Sequence, residues 1–522
     1  MPASEKRLVV FVHGWSVSHT NTYGEFAARL EREAERDPSL ELDVHNIWLG
    51  KYVSFHDAVR VEDLARGFNA AIERELGPAL RAGQRFACIT HSTGGPVVRE
   101  WWDRFYNPSQ IGPDCPMSHL IMLAPANFGS ALAQLGKGRI SRLKSWIHSV
   151  EPGTGVLKWL ELGSSESFEL NQRWMDYPDF TKARGGVYPF VLTGQSIDRK
   201  LYDHVNSYTG EKGSDGVVRV PSANLNASYI KLQQRAPTKT QIDKILKRAN
   251  TEGSDAKRAA ATRDALRDLE LPLTVVERSR ARRTAFSLVE GRSHSGDEMG
   301  ILASVEDNRR SHPTVKAVLK CLEVGSKHAY LEACRHFDRE VERVFRKERV
   351  EVHDGFFRDS YTIHDAHSMV VFRLFDDRGF PLDDYDLKLT GENGDPDKLP
   401  PGFFADRQRN SDHPGTVTFF LNHDLMLGSS AVRHKRKQVR AKRPGATELG
   451  IELIPRPRSG YTHYHRAVLR STARALKDIV RPHETVLVDI ELRRVVHEGV
   501  FELTRDRVPH DFRDQPVGGR VD

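Results

Sequence analysis

A serine between a strand-like and a helix-like stretch is the first feature of this sequence with chemical potential. Ser92 lies in Thr-His-Ser-Thr-Gly-Gly (residues 90–95), directly after an apolar run. A serine on such a turn projects its hydroxyl above the carboxyl edge of a sheet, and small residues beside it let the strand and the helix approach closely. The segment therefore predicts a nucleophilic serine, with the N-cap of an ordinary helix as the alternative.

An acid and a histidine follow further along the chain. Asp215 stands in Ser-Asp-Gly-Val-Val, and His294 stands in a loop just beyond the strand-like residues 284–291. A buried carboxylate orients an imidazole, which takes the proton of the serine and later returns it. Asp-Gly alone commonly marks a turn, and His294 is one of 23 histidines. The order serine, aspartate, histidine nevertheless predicts one catalytic triad of Ser92, Asp215 and His294.

The oxyanion formed during acyl transfer needs backbone N–H donors, and the loss of one donor costs about 10²–10³ in rate. His-Gly-Trp (residues 13–15) ends the first strong apolar run. We predict that the amides of Trp15 and Thr93 form the oxyanion hole, with a plain strand-ending turn at 13–15 as the alternative. This chemistry requires no cofactor, and no Cys-x-x-Cys spacing indicates a metal site.

Alternating strands and helices must bring these residues to one edge of a sheet. Over the first 125 residues, continuous apolar runs alternate with helical stretches, which predicts a doubly wound, mostly parallel sheet of the α/β class. Apolar residues recur every four positions from Leu64 to Leu80, so one helix is expected there, with Pro78 as a kink. Strand-like segments return at residues 187–194 and 284–291.

Over about residues 6–310 the chain resembles an α/β-hydrolase of the lipase type. It is similar to the lecithin:cholesterol acyltransferase-like and glycosylphosphatidylinositol-deacylase-like lipases. The residues that carry the likeness are 12–15, 90–95, 124–130, 215–218 and 294–295. Thr90 stands where the usual serine turn has its first glycine, and the resemblance implies that this glycine is often replaced. It also implies an α/β-hydrolase fold and hydrolysis of a lipid or small ester through an acyl-serine intermediate.

The predicted domain organisation combines a hydrolase unit with a β-rich unit. Short strands separated by turn residues, without helices between them, indicate an antiparallel sandwich near the C-terminus. The predicted segments are a catalytic domain at 1–312, a cap or lid insertion at 127–186, a surface helical excursion at 238–268, a helical linker at 313–349, an accessory β-sandwich domain at 350–510 and a disordered tail at 511–522. The tryptophans of the insertion line an acyl pocket or pack the cap onto the body, and the sequence leaves both open.

Charge and hydropathy limit the partners. The 522 residues include 78 basic and 71 acidic side chains, a net charge of +7, and no run of 18 apolar residues that would predict a transmembrane helix. Residues 431–444 carry seven Lys or Arg and no acid, which predicts contact with an anionic membrane surface, with a solvated hairpin loop as the alternative. This run lacks aromatic residues, so no nucleic acid is expected. The sequence favours no oligomeric state.

These features predict a serine carboxylic-ester hydrolase, a lipase or phospholipase. The alternatives are a catalytically inactive hydrolase-fold adaptor or binding protein, and an acyltransferase or amidase that uses the same triad. The N-terminal stretch has two basic residues before only five apolar ones and no small-residue cleavage site. The expected location is therefore the cytoplasm, or outside the cell after export by a signal-peptide-independent secretion system.

Overall fold

A computed structural model describes most of the chain, namely residues 6–13, 24–36, 40–49, 59–138, 153–181, 186–197, 212–251, 253–254, 257–258, 261–262, 265, 268–306, 311–353, 360–456 and 462–496. The strands are β1 (Arg7–His13), β2 (Leu42–Trp48), β3 (Phe86–His91), β4 (Met117–Leu123), β5 (Tyr188–Thr193), β6 (Ser228–Gln234), β7 (Glu270–Arg280), β8 (Ala285–Leu288), β9 (Val350–His353), β10 (Ser360–Ile363), β11 (His367–Asp376), β12 (Tyr385–Thr390), β13 (Phe404–Arg409), β14 (Thr416–Asn422), β15 (Val432–His434), β16 (Lys437–Arg440), β17 (Glu448–Pro455), β18 (Thr462–His463), β19 (Arg466–Thr472), β20 (Thr485–Leu492) and β21 (Val495–Val496). The helices are α1 (Phe26–Ala34), α2 (Val61–Arg81), α3 (Gly94–Tyr106), α4 (Ala131–Gly138), α5 (Thr154–Leu160), α6 (Ser165–Asp176), α7 (Val220–Ala223), α8 (Lys239–Ala249), α9 (Pro313–Leu322), α10 (Lys327–Lys347), α11 (His423–Met426) and α12 (Ala473–Leu476).

Within the described ranges, six parallel strands in the order β2-β1-β3-β4-β5-β8 form one sheet, which we call the hydrolase sheet after the predicted hydrolase unit. Side chains alternate across a strand, so successive apolar residues of β1 enter different cores. Val10 and Val12 pack against α2 and α3, whereas Val9 and Phe11 pack on the other face. A strand buried on both faces has a continuous apolar sequence, as β1 has. The parallel pairing of the six strands confirms the predicted mostly parallel sheet.

Helices α9 and α10 form part of the layer that covers the second face of the hydrolase sheet. Val318 and Phe337 share a core with Phe190 of β5. The hydroxyl of Tyr330 donates a hydrogen bond of 2.7 Å to the carbonyl of Pro189. These helices therefore pack on the hydrolase body, and their role as a linker at 313–349 stays a prediction. None of the helices in the described ranges is both long and apolar enough to cross a membrane.

A second sheet, which we call the C-terminal sheet, has nine strands among the residues that the structure describes, in the order β12-β17-β19-β7-β6-β20-β11-β14-β13. Its two edge strands meet, because the guanidinium of Arg409 in β13 lies 4.1 Å from the ring centroid of Tyr385 in β12. Apolar residues from both ends of the sheet, including Leu387 and Phe419, share one core. The sheet thus curls on itself, which confirms the predicted β-rich C-terminal part.

The membership of the C-terminal sheet differs from the predicted segments in one respect. Strands β6 and β7, which the sequence places within the hydrolase unit, hydrogen-bond to β20 and β19 in parallel pairs. The pairs are therefore not all antiparallel. Neither of these two strands was predicted from the sequence, and the division of the chain at residues 312 and 350 stays a prediction.

The described part of the segment predicted as a cap, which we continue to call the cap, packs onto the hydrolase body through its aromatic residues. The ring of Trp174 meets that of Trp102 edge to face, with centroids 5.5 Å apart, and Trp159 is buried as well. The sequence left open whether the tryptophans line an acyl pocket or pack the cap onto the body. The contacts of Trp159 and Trp174 favour packing. Trp146 lies outside the described residues.

The cap also contacts the C-terminal sheet. Glu161, between α5 and α6, accepts hydrogen bonds from the amide of Ser411 at 2.6 Å and from its hydroxyl at 2.8 Å. The side chain of Asn410 donates to the carbonyl of Leu162 at 3.1 Å. Hydrogen bonds to a carboxylate are stronger than neutral ones, so this contact fixes the described part of the cap between the two sheets.

Buried neutral histidines predict a loss of stability in acid. Burial lowers the pKa of His119 to about 3, against an ordinary value near 6.5. Between these two pKa values, His119 is protonated in the unfolded chain and neutral in the folded chain. The contribution of His119 to the free energy of unfolding is therefore complete above about pH 6.5 and is lost as the pH falls toward 3. We expect His119→Gln to reduce the pH dependence of the unfolding free energy by about 1.4 kcal/mol per pH unit between pH 6 and pH 4.

Urea unfolding at several pH values in this range would measure the change. His328→Gln is the matched control, since the His328 side chain is 82% exposed. Equal pH slopes for His119→Gln and the wild type would contradict the argument.

Candidate active site

Ser92 occupies the sharp turn between β3 and α3. Its φ of 54° lies in the left-handed region, which costs a non-glycine residue on the order of 1–3 kcal/mol. The amide of Ser92 donates to the carbonyl of Leu123 at 3.0 Å, which ties the turn to the neighbouring strand β4. The strained backbone holds the serine at the carboxyl edge of the hydrolase sheet and at the start of a helix, where the dipole favours negative charge.

Two glycines allow the close approach that this turn requires. A Cβ on Gly95 would lie 2.8 Å from Cβ of Pro125, and one on Gly94 would lie 3.3 Å from Cβ of Thr90. Thr90, which replaces the usual glycine, is fully buried. It fits because it faces the bare backbone of Gly94 instead of a side chain.

His294 contacts both Ser92 and Asp215. Its Nε2 lies 3.0 Å from Oγ of Ser92, and its Nδ1 lies 3.0 Å from Oδ2 of Asp215. The amide of His294 also donates to the carbonyl of Asp215 at 2.9 Å. The structure therefore brings together the three residues that the sequence proposes as a triad, although they are spread over some 200 positions of the chain.

Asp215 is completely buried, and backbone amides fix its orientation. Its Oδ1 accepts hydrogen bonds from the amides of Val217 at 3.0 Å and Val218 at 2.8 Å, which leaves Oδ2 for His294. The apolar residues that follow Asp215 do not form a strand. The carboxylate binds amides that a strand would pair, so the chain forms a turn and then the short helix α7, with Pro221 in its first turn.

His91 is a site residue that the sequence reasoning missed. Its Nε2 donates to the carbonyl of His294 at 3.1 Å, and the two ring centroids lie 4.9 Å apart. His91 thus supports the backbone that carries the imidazole. Its position beside Ser92, at the carboxyl end of β3, was a signal, because residues there share the sheet edge with the loop that follows β8.

The structure describes one of the two predicted oxyanion donors, Thr93, and leaves the other, Trp15, outside the described residues. Thr93 is the N-cap residue of α3, where the first amides of a helix have no partner within the helix. Trp15 lies outside the described residues, although β1 pairs with β3 up to Val12 opposite Thr90 and so ends at the same sheet edge. The oxyanion hole stays a prediction. Among the described residues no group of His, Cys, Asp or Glu is arranged to hold a metal ion.

Gly194 offers a test of how tightly the His294 loop is held. A Cβ at this position would lie 1.8 Å from the carbonyl oxygen of Arg292, two residues before His294. We expect Gly194→Ala to displace this loop and to lower hydrolysis of a soluble ester by about 100-fold, since a misplacement near 1 Å costs that much. Gly325→Ala is the control, because a Cβ there meets no atom within 4 Å. Activity of Gly194→Ala within twofold of the wild type would contradict the expectation.

An imidazole that touches a serine hydroxyl and a buried carboxylate, at the carboxyl edge of a parallel sheet, defines the serine hydrolases of the α/β-hydrolase fold. Two solved structures of phospholipase PlaB from Legionella pneumophila match 99% of this chain over 100% of their own, each with a TM-score of 0.78. The identity is 40% for PlaB alone and 39% for PlaB in complex with thio-NAD. The chain belongs to the PlaB phospholipase family.

A more distant solved structure, the mature lipase BlEst2 of Bacillus licheniformis, is 18% identical over 43% of this chain and 80% of its own, with a TM-score of 0.30. No protein-family model matches the chain, and neither does any curated protein. The predicted enzyme class, a serine hydrolase of the lipase and phospholipase type, is confirmed. The narrower likeness to lecithin:cholesterol acyltransferase-like and glycosylphosphatidylinositol-deacylase-like lipases is not shown.

Proposed function

We propose that the protein hydrolyses the carboxylic esters of phospholipids, with Ser92 as nucleophile, His294 as base and acid, and Asp215 as the residue that orients His294. The observation that carries the proposal is the continuous contact from Ser92 through His294 to Asp215, at 3.0 Å on each side of the imidazole. Membership in a family whose solved relative is a phospholipase supports the choice of substrate.

In the acylation step, Oγ of Ser92 attacks the ester carbonyl carbon while its proton moves to Nε2 of His294. The carbonyl π electrons move to oxygen, and the amides of Thr93 and Trp15 stabilise the resulting oxyanion. When the oxyanion collapses, the C–O bond to the lysophospholipid breaks, and the leaving oxygen takes the proton from His294. Ser92 is left as an acyl ester.

Deacylation repeats the sequence with water. His294 takes a proton from the water as its oxygen attacks the acyl carbon, and then gives that proton to Oγ of Ser92. The fatty acid leaves and the free serine is restored. Asp215 accepts a hydrogen bond from the Nδ1–H of His294 throughout, which keeps the lone pair of Nε2 toward Ser92 and stabilises the imidazolium that forms twice per turnover.

The test is a product assay on vesicles of phosphatidylcholine and phosphatidylglycerol, run in parallel with a short p-nitrophenyl ester. We expect fatty acid and lysophospholipid from the wild type and neither from Ser92→Ala. An amidase or acyltransferase would release little free fatty acid, and an inactive adaptor would release none. Fatty acid released equally by the wild type and Ser92→Ala would contradict the proposal.

We also propose that the basic hairpin, residues 431–444, docks the enzyme on anionic membranes. Strands β15 and β16 pair across a tight turn at Lys435, whose φ is 51°. The side chains of Arg433, Lys435 and Arg436 are exposed there, with no acid in the run. Each such charge near an anionic bilayer contributes about 1 kcal/mol, so the hairpin favours binding to phosphatidylglycerol surfaces.

Reversing three charges in the hairpin should separate surface binding from catalysis. For the triple variant R433E, K435E and R436E we expect binding to anionic vesicles to weaken by on the order of 100-fold, with unchanged hydrolysis of a soluble ester. The matched control is the triple variant K244E, K247E and R248E in the exposed helix α8. Equal loss of vesicle binding in both variants would point to net charge instead of the hairpin.

A nicotinamide dinucleotide is a second proposed ligand, because PlaB was solved in complex with thio-NAD. Ester hydrolysis transfers no hydride, so this molecule would act as a bound effector and not as a reagent. Thermal unfolding with and without NAD⁺ or thio-NAD tests the proposal: a rise in Tm that saturates with concentration supports it, and an unchanged Tm contradicts it.

Cytoplasmic residence and signal-independent export also remain proposals, which fractionation of the producing cells and their medium would distinguish.

A further inference from the structure

The segment that carries Asp215 is a closed loop, residues 213–220, which we call the acid loop. The amide of Val220 donates to the carbonyl of Gly213 at 2.9 Å, and the amide of Asp215 donates to the carbonyl of Val218 at 3.2 Å. An antiparallel bridge joins Ser214 to Arg219. The backbone of Arg219 is therefore tied to the residue directly before Asp215.

The side chain of Arg219 leaves the acid loop and enters the C-terminal sheet. It is 1% exposed, its guanidinium lies 4.3 Å from the ring centroid of Phe420 in β14, and it forms an ion pair with Asp406 in β13. A buried guanidinium without its acid would carry an uncompensated charge, which is strongly unfavourable. The pair with Asp406 therefore fixes where Arg219, and the loop attached to it, lies.

Other residues of the C-terminal sheet contact the same segment from a second side. A Cβ on Gly213, whose φ is +78°, would lie 2.7 Å from Nδ1 of His367 in β11. The hydroxyl of Thr485 in β20 donates to the carbonyl of Pro221 at 2.8 Å. The acid loop thus packs against β11, β13 and β14, and Pro221 directly after it contacts β20, while Asp215 faces His294.

We propose that Arg219 is a positioning residue for Asp215, and that the C-terminal sheet is a working part of the catalytic site through Asp406. Asp406 holds the guanidinium of Arg219, Arg219 holds Ser214 across the bridge, and the loop keeps Oδ2 of Asp215 within 3.0 Å of His294. This inference rests on the proposed roles of Ser92, His294 and Asp215. It assigns to the C-terminal sheet a function that membrane docking alone would not give it.

The test compares Arg219→Gln, Arg219→Lys and Asp406→Asn with the wild type on a soluble p-nitrophenyl ester. For Arg219→Gln we expect kcat to fall 10- to 100-fold with KM within threefold, because the acid loop touches the triad and not the acyl chain. Arg219→Lys keeps the charge and should recover part of kcat. Asp406→Asn should lower kcat in the same direction, and it keeps the test open if Arg219→Gln fails to fold.

Arg373→Gln is the matched control. Arg373 also forms a half-buried ion pair within the C-terminal sheet, with its Nε and Nη2 each 2.8 Å from one carboxylate oxygen of Asp489, and it lies outside the acid loop. We expect a loss of Tm with unchanged kcat for this variant. Equal losses of kcat in Arg373→Gln and Arg219→Gln, or a wild-type kcat in Arg219→Gln, would overturn the proposal.

The rate of labelling by a fluorophosphonate serves as a second readout that does not depend on the substrate. Wild-type labelling with at least tenfold slower labelling of Arg219→Gln supports the positioning role. Equal labelling rates of the two overturn that role alone. A wild type that neither hydrolyses esters nor labels overturns the proposed function itself and, with it, the positioning role.

Discussion

Ser92→Ala is expected to lower ester hydrolysis at least about 10⁴-fold, because the variant removes the only atom that forms the acyl intermediate. The left-handed turn at Ser92 accepts alanine with the same strain, and the hydrogen bond of the residue 92 amide to Leu123 is kept. The variant should therefore retain the Tm of the wild type. Initial rates on a soluble ester and on phospholipid vesicles measure the loss.

Ser118→Ala is the matched control for this variant. Ser118 lies near the opposite end of the hydrolase sheet, where its hydroxyl donates to the carbonyl of Phe86 at 3.0 Å. We expect this variant to keep wild-type rates. A Ser92→Ala protein that retains more than about a tenth of the wild-type activity would exclude Ser92 as the nucleophile.

Asp215→Asn is expected to lower kcat by about 10⁴-fold while the fold is kept. Oδ1 of Asp215 accepts two hydrogen bonds, from the amides of Val217 and Val218, so an asparagine must place its carbonyl oxygen there. Its NH₂ group then faces Nδ1 of His294. A donor in that position forces the proton onto Nε2, which turns the imidazole into the tautomer that cannot accept the proton of Ser92.

Asp297→Asn is the control, because Asp297 is exposed and lies only three residues from His294 in the sequence. We expect its kinetics to equal those of the wild type. If Asp215→Asn keeps kcat within tenfold, the carboxylate does not set the tautomer, and the account of Asp215 is wrong.

The sequence predicted the parts of the fold that depend on periodicity and chain order. The helix-like stretch after Ser92 forms α3, and the apolar run that contains Val9 and Phe11 is a strand buried on both faces. The chain order predicted that Ser92, Asp215 and His294 form one group, and the structure places Ser92 and Asp215 each 3.0 Å from His294. Their catalytic roles stay predictions that the variants above test.

Sequence periodicity did not predict which distant segments of the chain pack together. Strand β6 was not predicted from the sequence, and its pairing with β20 depends on residues more than 250 positions away. Distant partners also decide the place of helices α9 and α10, whose apolar stripes fit a linker or a layer of the hydrolase body equally well until their partners are known. Arg219 was missed because a charged residue after a turn has no sequence pattern of its own. His91 was missed although its position beside Ser92, at the carboxyl end of β3, was a signal.

Peptide mapping after reaction with a fluorophosphonate tests the central claim most directly, since only an activated serine attacks the reagent. The wild type should gain one phosphonyl group, located by mass spectrometry on Ser92, and Ser92→Ala should gain none. An adduct on a different residue of the wild type, or ester hydrolysis that continues without any adduct, would contradict the account.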